Sequence, residues 1–120
     1  MTLNMIPANQ LDTTAQIFKI LTHPGRISIL ELLRDGEHCV CHLEAFLGLR
    51  QATISQQLAV LRDAGIIQDR RDGWNIYYRV VNDQIFTVLD AARTFTGAAI
   101  PLSAKPAVNC PCPHCTAKAE

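Results

Sequence analysis

Between positions 12 and 33, Ala15, Ile17, Phe18 and Leu21, and then Ile27, Ile29, Leu30 and Leu33, recur at three- and four-residue steps, the period of an α-helix. His23-Pro24-Gly25 interrupts the run. Two helices are predicted: residues 13–21, and a second from about Pro24 to Asp35-Gly36. Proline suits the start, where its missing N–H costs nothing, and glycine suits the end. Leu43, Phe46 and Leu47 predict a short helix over residues 40–47 stopped by Gly48; Ile54, Leu58 and Leu61 predict another over 53–64 stopped by Gly65.

After Gly65 the pattern changes. Residues 66–71 and 74–81 are rich in β-branched and aromatic side chains and are joined by Asp72-Gly73, a strong turn dipeptide, so they predict a β-hairpin. Asp83 is the expected N-cap of a last helix whose Ile85, Phe86, Val88, Leu89, Ala92 and Phe95 form a broad stripe, able to close the core or meet another chain. Residues 98–120 hold four of the six prolines and little periodicity, and read as an extended tail. The expected architecture is mainly α with a β-hairpin wing, a winged helix-turn-helix domain over 1–97 followed by a Pro/Cys-rich tail over 98–120.

Composition narrows the function. A chain of 120 residues with 48% hydrophobic and 18% charged positions fits one folded domain and leaves no room for a separate cofactor domain. Eleven Lys+Arg balance eleven Asp+Glu, so attraction to a polyanion must come from a local basic surface. No apolar run is long enough to cross a bilayer and residues 1–10 lack a cationic, apolar leader, which gives the expectation of a cytoplasmic protein without membrane contact. No Ser/His/Asp set, carboxylate pair, P-loop or dinucleotide fingerprint stands out, so no enzyme activity is expected.

A basic surface is found where the helix pair meets the hairpin. Residues 48–52 join helices 40–47 and 53–64 closely enough to hold them at the steep angle of a DNA-reading pair. With Ile54, Leu58 and Leu61 facing the core, Gln51, Thr53, Ser55, Gln56 and Arg62 face outward. Gln can bond adenine, Ser and Thr can bond bases or phosphates, and Arg can neutralise a phosphate. Such a face alone would fit a merely solvated helix, but residues 50–81 carry five arginines against three aspartates. Arg70 and Arg71 flank the hairpin turn, where a wing could follow a phosphate backbone. Tyr77 and Tyr78 alternate faces, and Tyr78 is the one expected to reach DNA.

At this point the sequence resembles the ArsR/SmtB family of metal-responsive winged-helix repressors. The resemblance spans roughly residues 13–95. It rests on His23-Pro24-Gly25-Arg26, Glu37-His38-Cys39-Val40-Cys41-His42-Leu43, Gln51-Ala52-Thr53-Ile54-Ser55-Gln56-Gln57-Leu58, Leu61-Arg62-Asp63-Ala64-Gly65 and Arg70-Arg71-Asp72-Gly73. It implies a homodimer joined by its first and last helices that blocks a promoter, as double-stranded operator DNA, until an inducer binds.

The five cysteines suggest the inducer. Cys39 and Cys41 can reach one ion where the backbone is extended or just entering a helix, whose N-terminus favours thiolate. Cys110-Pro111-Cys112-Pro113-His114-Cys115 places three more thiols and an imidazole within six residues. Thiophilic ions fit: Zn(II) and Cd(II) take a tetrahedron of ligands, As(III) and Sb(III) a pyramid of thiolates. Two thiols are too few for either, so Cys110, Cys112 and Cys115 are expected to complete the site with Cys39 and Cys41, from the same or the other subunit. In the resembling family the C-V-C box serves arsenite sensors and cadmium/lead sensors, so As(III), Cd(II), Pb(II) and Zn(II) all stay open. This chain has Glu44 where the arsenite layout often has a third cysteine, and no cysteine in residues 1–10 for the cadmium layout. A zinc site on the last helices finds only Asp83 and Asp90. His38 and His42 are candidate ligands or neighbours of ligands, whereas His23 is expected to cap or pack at the second helix.

Three other readings accompany this one. Thiol oxidation or persulfidation could work the same repressor scaffold. A small thiol oxidoreductase could use Cys110-Pro111-Cys112, though no βαβ context surrounds it. A winged helix for protein partners could carry structural zinc in its tail.

Overall fold

The computed structural model describes residues 8–98, and within them the expected helices and hairpin form. In chain order they are α1 (Ala8–Ile20), α2 (Pro24–Leu32) with a 3-10 turn (Leu33–Asp35), β1 (His38–Cys39), α3 (Val40–Leu47), α4 (Gln51–Asp63), β2 (Ile67–Asp72), β3 (Asn75–Val80) and α5 (Gln84–Thr96). The architecture is mainly helical with a small antiparallel sheet of order β1-β3-β2. None of these helices is long and apolar enough to cross a membrane.

Local chemistry explains the boundaries. His23 is the N-cap of α2: its Nδ1 accepts from the Gly25 N–H at 3.0 Å, and Pro24 begins the helix. Gly48 closes α3 at φ 65°, a conformation costly for residues with a Cβ, and donates its N–H to the Glu44 carbonyl at 3.0 Å. Gly73 makes the hairpin turn at φ 62°. Asp83 stands at the N-cap of α5 as expected, but its side chain does not do the capping. Asp83 has helical dihedrals and makes no capping bond, while Asn82 Oδ1 accepts the Gln84 N–H at 2.9 Å. Both are short polar side chains one position apart, so the pattern alone could not choose between them.

The core gathers Ile29, Leu30 and Leu33 with Leu43, the α4 side chains Ile54, Leu58 and Leu61, the sheet residues Ile67, Tyr78 and Val80, and Ile85, Phe86 and Leu89 of α5. Ile54, Leu58 and Leu61 are 0%, 1% and 0% exposed, so the three-four spacing orients α4 as expected. Each such side chain contributes about 1.5–3 kcal/mol by leaving water. The other face of α4 is thereby turned outward on a rigid base.

Polar ties hold the helices in place. Arg26 donates to Gln57 Oε1 at 2.8 Å and to the Ile20 carbonyl at 3.2 Å, linking α1, α2 and α4. Arg34 makes paired bonds to Glu31 (2.9 and 2.9 Å) and to Asp90 (3.1 and 2.8 Å), while its guanidinium covers the Phe86 ring at 4.6 Å. Arg93 lies 3.3 Å from Glu31 and also bonds Asp90, so four charged side chains bind α2 and its 3-10 turn to α5. Phe18 of α1 and Phe95 of α5 remain exposed, at 57% and 92%.

One element had no forecast. β1 is two residues long, too short for alternation to register, and exists by pairing with β3: His38 lies opposite Tyr78 and Cys39 opposite Tyr77.

Candidate functional site

The α3–α4 pair is joined by residues 48–50, and α4 begins at Gln51, two residues earlier than expected. Gln51 and Thr53 therefore lie in its first turn, where free backbone N–H groups suit phosphate. Gln51, Ser55, Gln56 and Arg62 are exposed and Thr53 is half-buried, so the face assigned to DNA by spacing is turned outward. Gln57, by contrast, is buried.

The wing is less simple. Beyond Ile67 every residue of β2 is exposed. Arg71 has no ion-pair partner among the described residues, whereas Arg62 lies 3.7 Å from Asp69 and Arg79 donates to Gln68. Arg70 is engaged: its Nε and an outer nitrogen donate to Glu37 at 3.1 and 2.6 Å, and its guanidinium stands 4.9 Å over the Tyr77 ring. The bond to Glu37 is the main reason that the Arg70 pKa is raised above its ordinary value.

The expectation for Tyr78 is corrected. It is 7% exposed and packed in the main core, while Tyr77, on the opposite face, is 4% exposed against Cys39. The tyrosines do alternate, but both sides of β3 are covered here. Burial, followed by the nearby Asp69 charge, raises the Tyr78 pKa.

Two residues were not singled out as contacts by the sequence reading, although Arg50 is one of the five arginines counted there. Arg50, at the N-cap of α4, is exposed and has no ion-pair partner among the described residues. Trp74 stands fully exposed just after the wing turn. A large aromatic beside Asp72-Gly73 was the available signal, since a turn offers it little to pack against.

Cys39 and Cys41 come together, their sulfurs 2.7 Å apart. Cys39 is extended (φ −86°, ψ 166°) and is the N-cap of α3, the strand-to-helix junction at which two thiols one residue apart can converge. Cys39 is 2% exposed and Cys41 half-buried. Both line an open hollow of about 260 Å³ whose other walls include Glu44, Gln51, Trp74 and Ile76. The thiols therefore share a hollow with the first residue of α4 and the tip of the wing.

The two histidines beside the thiols, His38 and His42, are held by neighbours of their own. His38 is buried with its Nε2 2.8 Å from Asp35 Oδ1 and its ring stacked on His42 at 3.9 Å; His42 in turn meets Phe46 at 4.5 Å. Asp90 is occupied by Arg34 and Arg93, and the Arg34 hydrogen bond above all lowers its pKa. Among the described residues no group of three or more His, Cys, Asp or Glu side chains is arranged to hold a metal ion. Cys110, Cys112, His114 and Cys115, with the rest of the tail, lie outside the described residues.

An outward polar helix face, packed against a preceding short helix and flanked by a hairpin that carries Arg70, Arg71 and Arg79, defines a winged helix-turn-helix fold. Comparison carries this further. Residues 23–69 match the model of the bacterial regulatory protein, arsR family. The chain is 42% identical over 88 residues to the biofilm growth-associated repressor of Agrobacterium fabrum, covering 72% of this chain and 75% of that one. It is 48% identical over 65 residues to the arsenic resistance transcriptional regulator ArsR1 of Pseudomonas putida, covering 53% and 51%. The crystal structure of the transcriptional repressor BigR from Xylella fastidiosa superposes with a TM-score of 0.71 at 34% identity, covering 82% of this chain and all of that one. The chain belongs to the ArsR/SmtB family of transcriptional regulators.

Proposed function

We propose that the chain is a homodimeric repressor that holds operator DNA with α4 and the wing and lets go when a thiophilic ion binds Cys39 and Cys41. Gln51 and Gln56 read base edges, Thr53 and Ser55 bond bases or phosphates, and Arg62, Arg70 and Arg71 meet the backbone, with Arg50 added. The apolar side chains left exposed on α1 and α5, Phe18 and Phe95, suit a subunit contact. Tyr78 is left out because it is buried.

The observation that carries the reading is the convergence of Cys39 and Cys41 at the entrance of α3, beside a hollow that Gln51 and Trp74 also line. Thiolates there offer two ligands to a soft ion, and Cys110, Cys112 or Cys115, of either subunit, supply the remainder. An ion between the wing and the first turn of α4 changes the spacing of the surfaces that must fit successive grooves. Titration with As(III), Cd(II), Pb(II) and Zn(II), following operator release and thiolate absorption together, ranks the ions. Repeating it without residues 106–120 tests the tail. Cys39→Ser is expected to keep DNA binding and lose release entirely; release that persists rejects the site.

The paired thiols also fit a second reading, in which peroxide, itself reduced to water, oxidises Cys39 or Cys41 and a tail cysteine to a disulfide, or a small-molecule persulfide passes its outer sulfur to one thiolate and leaves as a thiol, and that change releases DNA. Mass spectrometry separates the readings: an added ion mass with intact thiols supports metal sensing, and loss of two hydrogens supports the disulfide.

A further inference from the structure

The sheet register carries an arrangement that neither the thiol site nor the wing explains by itself. Cys39 of β1 lies opposite Tyr77 of β3, and Tyr77 lies opposite Arg70 of β2. Residues directly opposite on neighbouring strands project to the same face, so Cys39, Tyr77 and Arg70 form one row across the sheet. Side-chain contacts fill that row. Cys39 and Tyr77 are packed together with Cys41 at their edge, and the Arg70 guanidinium lies over the Tyr77 ring. Glu37, two residues before Cys39, closes the row by gripping Arg70 through two hydrogen bonds at 2.6 and 3.1 Å.

This grip distinguishes Arg70 from the other hairpin arginines. Arg71 has no ion pair among the described residues, and Arg79 has only the amide of Gln68. A phosphate engages a guanidinium through the same paired N–H donors that a carboxylate uses. Glu37 therefore occupies the edge of Arg70 that a phosphate would take.

We propose that Glu37 is an internal competitor of the DNA backbone for Arg70, and that occupancy of the thiol site alters this competition through β1 and Tyr77. The proposal rests on the preceding reading that the wing meets DNA and the thiols sense an ion. Glu37 and Tyr77 act as positioning residues, working through Arg70 without touching DNA themselves. Packing supplies the connection. Cys39 is buried against Tyr77, so a change in how its sulfur is held is passed to the ring beneath Arg70 and to the strand that follows Glu37. Both holds on Arg70 are moved together.

The test uses the full chain as wild type, Glu37→Gln, Arg70→Gln and the double variant, with a labelled duplex selected from a random pool by the wild-type protein. Without added ion, Glu37→Gln is expected to tighten DNA binding about two- to fivefold, the range of an exposed ion pair, and to steepen the salt dependence. In the Arg70→Gln background the same change is expected to do nothing. Equal effects in both backgrounds would mean a general loss of negative charge and overturn the competition, as would no effect in either. With saturating arsenite or cadmium chloride, the ratio of affinities without and with ion is expected to shrink in Arg70→Gln while thiolate absorption stays at the wild-type level. An unchanged ratio overturns the coupling. Failure of the wild type to take up either ion, or to release DNA on doing so, rejects the functional reading instead, and the ion-free cycle still decides the competition.

Discussion

Two ion-paired regions of this molecule use the same chemistry to opposite ends. On the α2–α5 side, Glu31, Arg34, Asp90 and Arg93 share several bonds, with the Glu31 side chain only 2% exposed. On the wing side, Arg70 and Glu37 form a pair with side chains 53% and 23% exposed, resting on a tyrosine beside two thiols. A network with a buried member resists change, because loosening its bonds leaves that member, here Glu31, charged in a poorly solvated place. An ion pair at the surface, such as Arg70 with Glu37 and, at 3.8 Å, Asp72, gains little and is easily exchanged for another anion. The first arrangement fixes the scaffold, while the second leaves the edge of the wing adjustable.

The largest effect should come from the fixed side. Glu31→Ala removes the carboxylate shared by Arg34 and Arg93, and is expected to cost about 2 kcal/mol in urea unfolding, the middle of the range for a buried charged partner lost from a partly exposed network. A loss no greater than that of Glu37→Gln would erase the contrast. On the adjustable side, Gln56→Ala should leave stability unchanged but reduce discrimination at one base position by about 1–3 kcal/mol, read by competition among operator variants. Smaller again, Arg71→Ala is expected to weaken binding to all sequences alike and lower the slope of log affinity against log salt by about one.

The mildest test uses pH. The pKa of Asp90 is lowered, first by its hydrogen bond to Arg34 and also by Arg93, so folding is favoured while this carboxylate is charged. That contribution is present above the ordinary value of 3.8 and is lost as pH falls through the lowered one. Wild type should be more stable than Asp90→Asn at neutral pH, and thermal melts should show the gap closing in acid. A gap independent of pH would mean that charge at Asp90 does not matter.

Much of this organisation was legible in the sequence. Leu58 and its neighbours face the core because a three-four spacing can bury only one side of a helix, and Asp72-Gly73 turns the hairpin because glycine accepts a positive φ. His23 caps α2 as expected. The candidate site was legible in part. Spacing turned Gln56 and Ser55 outward and put Cys39 near Cys41, since each of these relations spans a few residues of backbone. Tyr78 went the other way: alternation correctly separated it from Tyr77, but did not reveal that both faces of β3 are covered.

What the chain determined by itself is thus the set of local periods and stops: the helix pair, the hairpin and a C-x-C at a helix entrance. Tertiary structure decided that Cys39 forms a strand with β3, that Glu37 reaches Arg70 across 33 positions of sequence, and that the thiols share a hollow with Gln51 and Trp74. The reason is physical. A helix face follows from bonds between residues three and four apart, whereas these meetings depend on the register and twist of a sheet whose strands are far apart in the chain.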